Sequence, residues 1–258
     1  MNIPLLGLGT WGMGGRFERD ENNKQESIQA LKTGLDLGFR LIDTAEIYAQ
    51  GLSEEITGEA IKNYQRQDVF IVTKVWQDNL HYEDVLSSAK QSLARLQTDY
   101  IDLYLVHWPN ENIPLSETMP AMEKLVDDGL VKHIGVSNFS VHLMQEAQKY
   151  LDHTKISANQ IEYNFINRSA EQDIIPFCKN YSIKVIAYRP LATGEIVNSD
   201  NQTLRSLALK YKKTPTQISL NWLISQNIVA IPKATSKTHM EENLGALGWK
   251  IEQGDVEF

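Results

Sequence analysis

The chain has 258 residues, 42% hydrophobic and 22% charged, with a net charge of −8 and no run of Lys or Arg, the composition of a protein with a real core and no nucleic-acid partner. No apolar stretch reaches the ~18 residues of a membrane span, and the opening "MNIPLLGLGTWG" lacks the basic flank of a secretory signal. The lone Cys178 excludes an intrachain disulfide and suits a reducing compartment, so a cytoplasmic protein is expected.

Short β-rich runs alternate with amphipathic ones along the whole chain. Strands are predicted at 5–10, 40–45, 69–75, 101–108, 132–138, 157–164, 184–191 and 229–233. Between them, "SIQALKTGLDLG" places Ile28, Leu31, Leu35 and Leu37 on roughly one helical face. "SEEITGEAIKNY" opens on Ser53 as an N-cap followed by acidic residues. "EDVLSSAKQSLARL" groups Val85, Leu86, Ala89, Leu93 and Leu96, and Thr214 before Pro215 has the form of a cap with proline in the first turn. Eight strands separated by helices imply parallel pairing through right-handed crossovers. Eight such units in this length predict a closed (β/α)₈ barrel, one domain over residues 1–258, with an open doubly wound sheet as the competing architecture. No Pro/Ser-rich linker or composition shift divides the chain.

The first strand carries "GLGTWG" (7–12), which fits the dinucleotide fingerprint G-x-G-x-x-G. That fingerprint needs a helix opening at its last glycine, yet Gly12 leads into the polar loop "MGGRFERDENNKQ" and the next helix begins near Gln25. The first acidic residue ending a following strand, Asp43, lies 31 residues on, against the ~20 expected. The glycines are therefore read as room for close backbone approach at a strand end.

In a barrel the carboxyl ends of the strands carry the chemistry. Strand 1 delivers Thr10 and Trp11, strand 2 Asp43 with Tyr48 beyond it, strand 3 Lys74 and Trp76, strand 4 His107 and Trp108. Alternation puts Asp43 on the face of Leu41, Lys74 on that of Phe70 and Val72, and His107 on that of Leu103 and Leu105. Charge above an inward apolar column is costly unless paired. Alone, such an Asp is a turn former, such a Lys solvated, and a His beside Trp packed core. Together, on neighbouring strand ends ringed by three tryptophans, they point to a site.

"LIDTAEIY", "TKVW", "DLYLVHWP", "GVSNF" and "IPKATSKTHMEEN" resemble the aldo-keto reductase family, in order and over essentially the whole chain. The resemblance implies Tyr48 as general acid, Lys74 and Asp43 as its ion pair, and His107 orienting a carbonyl oxygen. It implies a substrate pocket of Trp11, Tyr48, Trp76, His107 and Trp108; with no H-E-x-x-H or Cys-x-x-Cys in the sequence, no metal is expected. Residue chemistry agrees: a nearby ammonium lowers a phenol pKa from its reference of ~10, and Tyr48 and His107 can both donate to a developing alkoxide.

The resemblance also implies NADPH. Ser137, Asn138 and Gln160 suit its carboxamide and Tyr188 a flat ring. Lys233 suits phosphate, with Thr10, Trp11, Asp43 and Leu191 beside the cofactor. Ala234, Thr235, His239, Glu242 and Asn243 lie toward its adenosine end. Ala234 and His239 stand where relatives often have Ser and Arg on the 2′-phosphate, which keeps NADH as an alternative. Arg189 in "AYRPL" stands where many relatives have serine. The short "PNENIPL" and short ending after Lys233 suggest an open pocket for small aldehydes or ketones, α-dicarbonyls and keto-sugars among them. A monomer without nucleic-acid or membrane partners is expected. No tyrosine has Lys four residues later, which excludes a short-chain dehydrogenase. A cofactor-binding regulatory or redox-sensing subunit on the same fold remains the alternative.

Overall fold

Alternation of apolar side chains builds the sheet of this protein, whose computed structural model describes residues 1–198 and 201–255. The strands are β1 (Leu8–Gly9), β2 (Leu41–Asp43), β3 (Phe70–Val75), β4 (Ile101–Val106), β5 (Val131–Ser137), β6 (Ile156–Glu162), β7 (Lys184–Tyr188) and β8 (Val229–Ala230). The helices are α1 (Lys24–Leu37), α2 (Leu52–Ile61), α3 (Tyr82–Leu96), α4 (Leu115–Asp127), α5 (Val141–Gln148), α6 (Ile174–Asn180), α7 (Glu195–Asn198), α8 (Gln202–Tyr211), α9 (Pro215–Ser225) and α10 (Lys237–Leu244). All eight predicted strands form. Several stop short of the predicted ends because the last residues, His107 and Trp108 among them, leave the ladder for the loops above it.

The strands pair in parallel in the order β1 to β8. β8 and β1 share no ladder, but the segment leading into β1 meets β8: Leu6 bridges Ala230, Gly7 donates to the Ala230 carbonyl at 2.9 Å, and Gly9 to that of Pro232 at 3.1 Å. Leu41, Val72, Leu103, Leu105, Ala158, Ile186 and Val229 form an inner cluster, while Ile42, Ile71, Tyr104, Val106 and Val136 join the cluster that includes the helices' apolar faces. The period of two thus sorts β2, β3, β4, β7 and β8 between two cores, as their sequences imply.

The helices follow their patterns with two corrections. Thr214 accepts from the Gln217 amide in a reciprocal capping box with Pro215 in the first turn, as expected. Ser53, however, is not a cap: Gly51, at φ 88°, takes the N-cap position of α2, and Ser53 is buried in its first turn, donating to the Thr10 hydroxyl at 2.8 Å. The chain enters α2 from a tight turn at Tyr48–Gly51, and this left-handed position favours glycine. Leu37 and Leu86, assigned to helix core faces, are only partly buried.

The glycines of "GLGTWG" are close-approach positions. A Cβ on Gly9 would lie 2.9 Å from the Ile231 carbonyl oxygen, and one on Gly12 (φ 84°) 2.9 Å from the Lys233 ammonium. Because the atom facing Gly9 is backbone, Gly9→Ala should destabilise the fold by about 1–3 kcal/mol. An unchanged urea midpoint for this variant would contradict the close seam.

Candidate active site

The strand ends converge on a pocket of about 890 Å³ whose walls include Trp11, Asp43, Tyr48, Trp76, His107 and Trp108. Its floor is a buried polar network. Asp43 ends β2 directly across the ladder from Val72, two residues before Lys74 on β3. The Lys74 ammonium donates to Asp43 Oδ1 at 2.7 Å, to the Thr44 carbonyl at 2.8 Å and to the Tyr48 hydroxyl at 3.4 Å. Gln160, at the far side of the interior on β6, donates to Asp43 Oδ2 at 2.7 Å. Thr10 donates through both its amide and its hydroxyl to the Asp43 carbonyl, which puts it behind the site and not on the pocket wall.

The aromatic wall is in edge contact: Trp11 lies 4.9 Å from Tyr48, Tyr48 5.6 Å from His107 and Trp76 5.3 Å from His107, centroid to centroid. Trp108 stands on the pocket rim, partly exposed. Two loops are tied together by Glu46, which accepts from the Trp76 amide at 2.6 Å and from Asn79 at 3.0 Å.

Electrostatics divide the floor into charged and neutral members. Burial opposes the charge on Lys74, but Asp43 and the Tyr48 oxygen outweigh it and hold its pKa above the ordinary lysine value. Burial raises the Tyr48 pKa, against the pull of Lys74, so the direction expected from the ammonium alone is reversed and the phenol keeps its proton. Burial and then Lys74 push His107 well below the usual histidine range, leaving the imidazole neutral. Its Nδ1 is buried with no partner.

The amide-bearing strand ends join the same pocket. Ser137 donates to the Gln160 carbonyl at 3.0 Å, Asn138 to the His107 carbonyl at 3.2 Å, and the Tyr188 hydroxyl to Asn138 Oδ1 at 3.0 Å. Ser137, Asn138, Gln160, Tyr188, Leu191 and Lys233 all line the pocket. Ala234, Thr235, His239, Glu242 and Asn243 do not; they follow Lys233 into α10, with Ala234 and Asn243 buried. Sequence reasoning missed Arg16, Phe17, Ile47, Glu162 and Thr193. Phe17 could have been sought as a partner for Trp11, whose ring it meets at 5.0 Å. Arg189, left without a role, also lines the pocket. Among the described residues no group of three His, Cys, Asp or Glu could hold a metal ion, and no helix is long and apolar enough to cross a membrane.

A model of the Aldo/keto reductase family matches residues 5–257. The chain belongs to that family. Methylglyoxal reductase YeaE of Escherichia coli K12 is 36% identical, with 99% of this chain and 89% of that protein aligned. The structure of the thermostable aldo-keto reductase Tm1743 with epalrestat superposes with a TM-score of 0.95 at 43% identity, covering 99% of this chain and 93% of that one. The aldo-keto reductase of Klebsiella pneumoniae in complex with NADPH gives 0.88 at 37% identity, covering 98% and 89%.

In this aldo-keto reductase, removing Asp43 strands a buried ammonium. Asp43→Ala should cost about 3–5 kcal/mol of folding stability. Denaturant unfolding of Asp43→Ala beside Asp43→Ala/Lys74→Met checks this, and a double variant no more stable than the single one would contradict it.

Proposed function

We propose that the protein is an NADPH-dependent reductase of small aldehydes and ketones in which Tyr48 is the general acid. The observation that carries this is the Tyr48 hydroxyl, held 3.4 Å from the buried Lys74 ammonium at the floor of an aromatic pocket. The pocket's polar groups fit a nicotinamide dinucleotide. Gln160 and Asn138 place side-chain amides at the strand ends, Tyr188 offers a ring face, and Lys233 a cation. Bound there, such a cofactor supplies a hydride to the carbonyl carbon.

The chain's own residues do the rest. As negative charge builds on the carbonyl oxygen, the Tyr48 hydroxyl gives it a proton. Lys74, kept charged by Asp43 and aimed by the Thr44 carbonyl, stabilises the tyrosinate left behind. His107 is neutral, and a proton on its sealed Nδ1 would be an orphaned donor, so the proton sits on Nε2 and donates to the same oxygen. The tryptophans keep water from the reacting atoms.

Substrate class follows from the relatives. The E. coli relative is named for methylglyoxal, and small α-dicarbonyls are the substrates proposed here, ahead of keto-sugars. NADPH is favoured over NADH because the Klebsiella relative binds it. Residues 1–258 are read as one domain, a barrel closed at the β1–β8 seam, a reading that the TM-score to Tm1743 supports. The lone Cys178 supports a cytoplasmic reading, and the net charge of −8 a monomer without a nucleic-acid or membrane partner.

Tyr48→Phe should lose on the order of 10²–10⁴ in kcat for methylglyoxal while still binding NADPH. Cofactor binding without turnover in the wild type would favour a regulatory or redox-sensing subunit. The pKa shifts set the pH profile. The Tyr48 pKa lies above 10.0, so the acid is protonated below that pH, and His107 does not titrate near 6.5. Reductive kcat should therefore be flat through pH 6.5 and fall only above pH 10.0. A limb centred near neutrality would refute the assignment.

A further inference from the structure

Glu54 is a buried carboxylate that takes no part in the proton transfer. It sits in the first turn of α2 with no exposed side-chain surface, and it lines no part of the pocket. Each of its oxygens has a partner. Thr73 donates to Oε1 at 2.5 Å, and Arg95 donates through Nε to Oε2 at 2.6 Å. A second guanidinium nitrogen of Arg95 reaches Ser92 at 3.3 Å. Burying a carboxylate is costly, and an apolar pair of the same size is often as stable as a buried ion pair, so stability alone does not account for it. The segments that Glu54 ties together do.

The turn that carries Tyr48 is strained. Directly after Tyr48, Ala49 and Gln50 adopt φ of 49° and 51°, a region costly for non-glycine residues, and Gly51 follows at 88°. Such a turn persists only where its surroundings hold it. On one side the Ala49 amide donates to the Arg16 carbonyl at 2.6 Å. On the other lies Arg95: a Cβ on Gly51 would fall 2.5 Å from Arg95 Cδ and 2.7 Å from its Nε. That Nε is the atom Glu54 fixes. Thr73 is the neighbour of Lys74 on β3. Alternation turns its hydroxyl outward to Glu54, while the Lys74 ammonium points inward to Tyr48. One carboxylate therefore links the strand behind Lys74 to the side chain packed behind Tyr48.

We propose that Glu54 and Arg95 are positioning residues for Tyr48: Glu54 sets Arg95 against Gly51, and Arg95 holds the Tyr48–Gly51 turn in place beside Lys74. This rests on the reading of Tyr48 as the general acid. Neither residue lines the pocket, so both act through the turn and not on substrate or cofactor. The hydroxyl and ammonium they hold together are 3.4 Å apart, at the long end of a hydrogen bond, and a small displacement of the turn breaks the contact. Loss of the clamp slows proton delivery and leaves cofactor binding, made at other strand ends, as it was.

The test measures kcat for methylglyoxal at saturating NADPH, per mole of enzyme that binds NADPH, in wild type, Glu54→Gln, Arg95→Lys, Tyr48→Phe and Glu54→Gln/Tyr48→Phe. Glutamine keeps an oxygen for Thr73 but sets an amide N–H against the Arg95 donor. In Glu54→Gln kcat should fall about 10–100-fold with the NADPH dissociation constant unchanged. Arg95→Lys, which keeps a cation facing Glu54, should lose less. In the Tyr48→Phe background Glu54→Gln should cost nothing further, because the group it positions is gone. An unchanged kcat in Glu54→Gln, or an equal loss in both backgrounds, would overturn the proposal. Should Glu54→Gln fail to fold, Glu54→Gln/Arg95→Met, which leaves no buried charge unpaired, carries the same comparison. Full activity in Tyr48→Phe would instead remove the general-acid reading itself.

Discussion

A buried ion pair organises this protein. Lys74 has no exposed side-chain surface and Asp43 only 3%, so the pair persists only because its own donors and acceptors are satisfied. Thr44 and Tyr48 take the remaining donors of Lys74, and Gln160 fills the second oxygen of Asp43. The Gln160 contact joins residues 117 apart in sequence, from β6 to β2. It can form only if the sheet curls far enough to bring those strands face to face, so the curvature of the fold and the chemistry of its floor are one constraint.

Strand alternation made much of this readable beforehand. In β4 the sequence Leu103, Tyr104, Leu105, Val106 sorts strictly between inner and outer cores, and the titratable residue at the top of each inner column could be picked out without coordinates. What stayed hidden depends on distance and burial. Ser53 has the residue type of a cap, but the left-handed position fell to Gly51, and its hydroxyl serves Thr10 instead. The direction of the Tyr48 shift turns on whether burial or Lys74 dominates, and a sequence carries no measure of burial. Glu46 carried no reading, and Glu54 read only as an acid at a helix start. One fastens Trp76, and the other is fully buried between Thr73 and Arg95.

The rim of the pocket has a different character from its floor. The floor is neutralised and locked, whereas the rim holds uncompensated cations and a strained backbone. In the loop after β7, Arg189, Ala192 and Thr193 all adopt positive φ, at 48°, 46° and 55°, a region costly for non-glycine residues. A positive rim on an acidic protein would also focus an anionic ligand toward the opening. The fold thus keeps order where a proton must be held in place and leaves charge where a ligand must be drawn in.

The central claim is that Asp43, Lys74 and Tyr48 act as one unit, and a double-mutant cycle in kcat tests it most directly. Asp43→Asn and Tyr48→Phe are measured singly and together with saturating NADPH. If Asp43 works only through Lys74 and Tyr48, the double variant is about as slow as Tyr48→Phe alone. Losses that multiply would show that Asp43 acts independently of Tyr48, and would contradict the account.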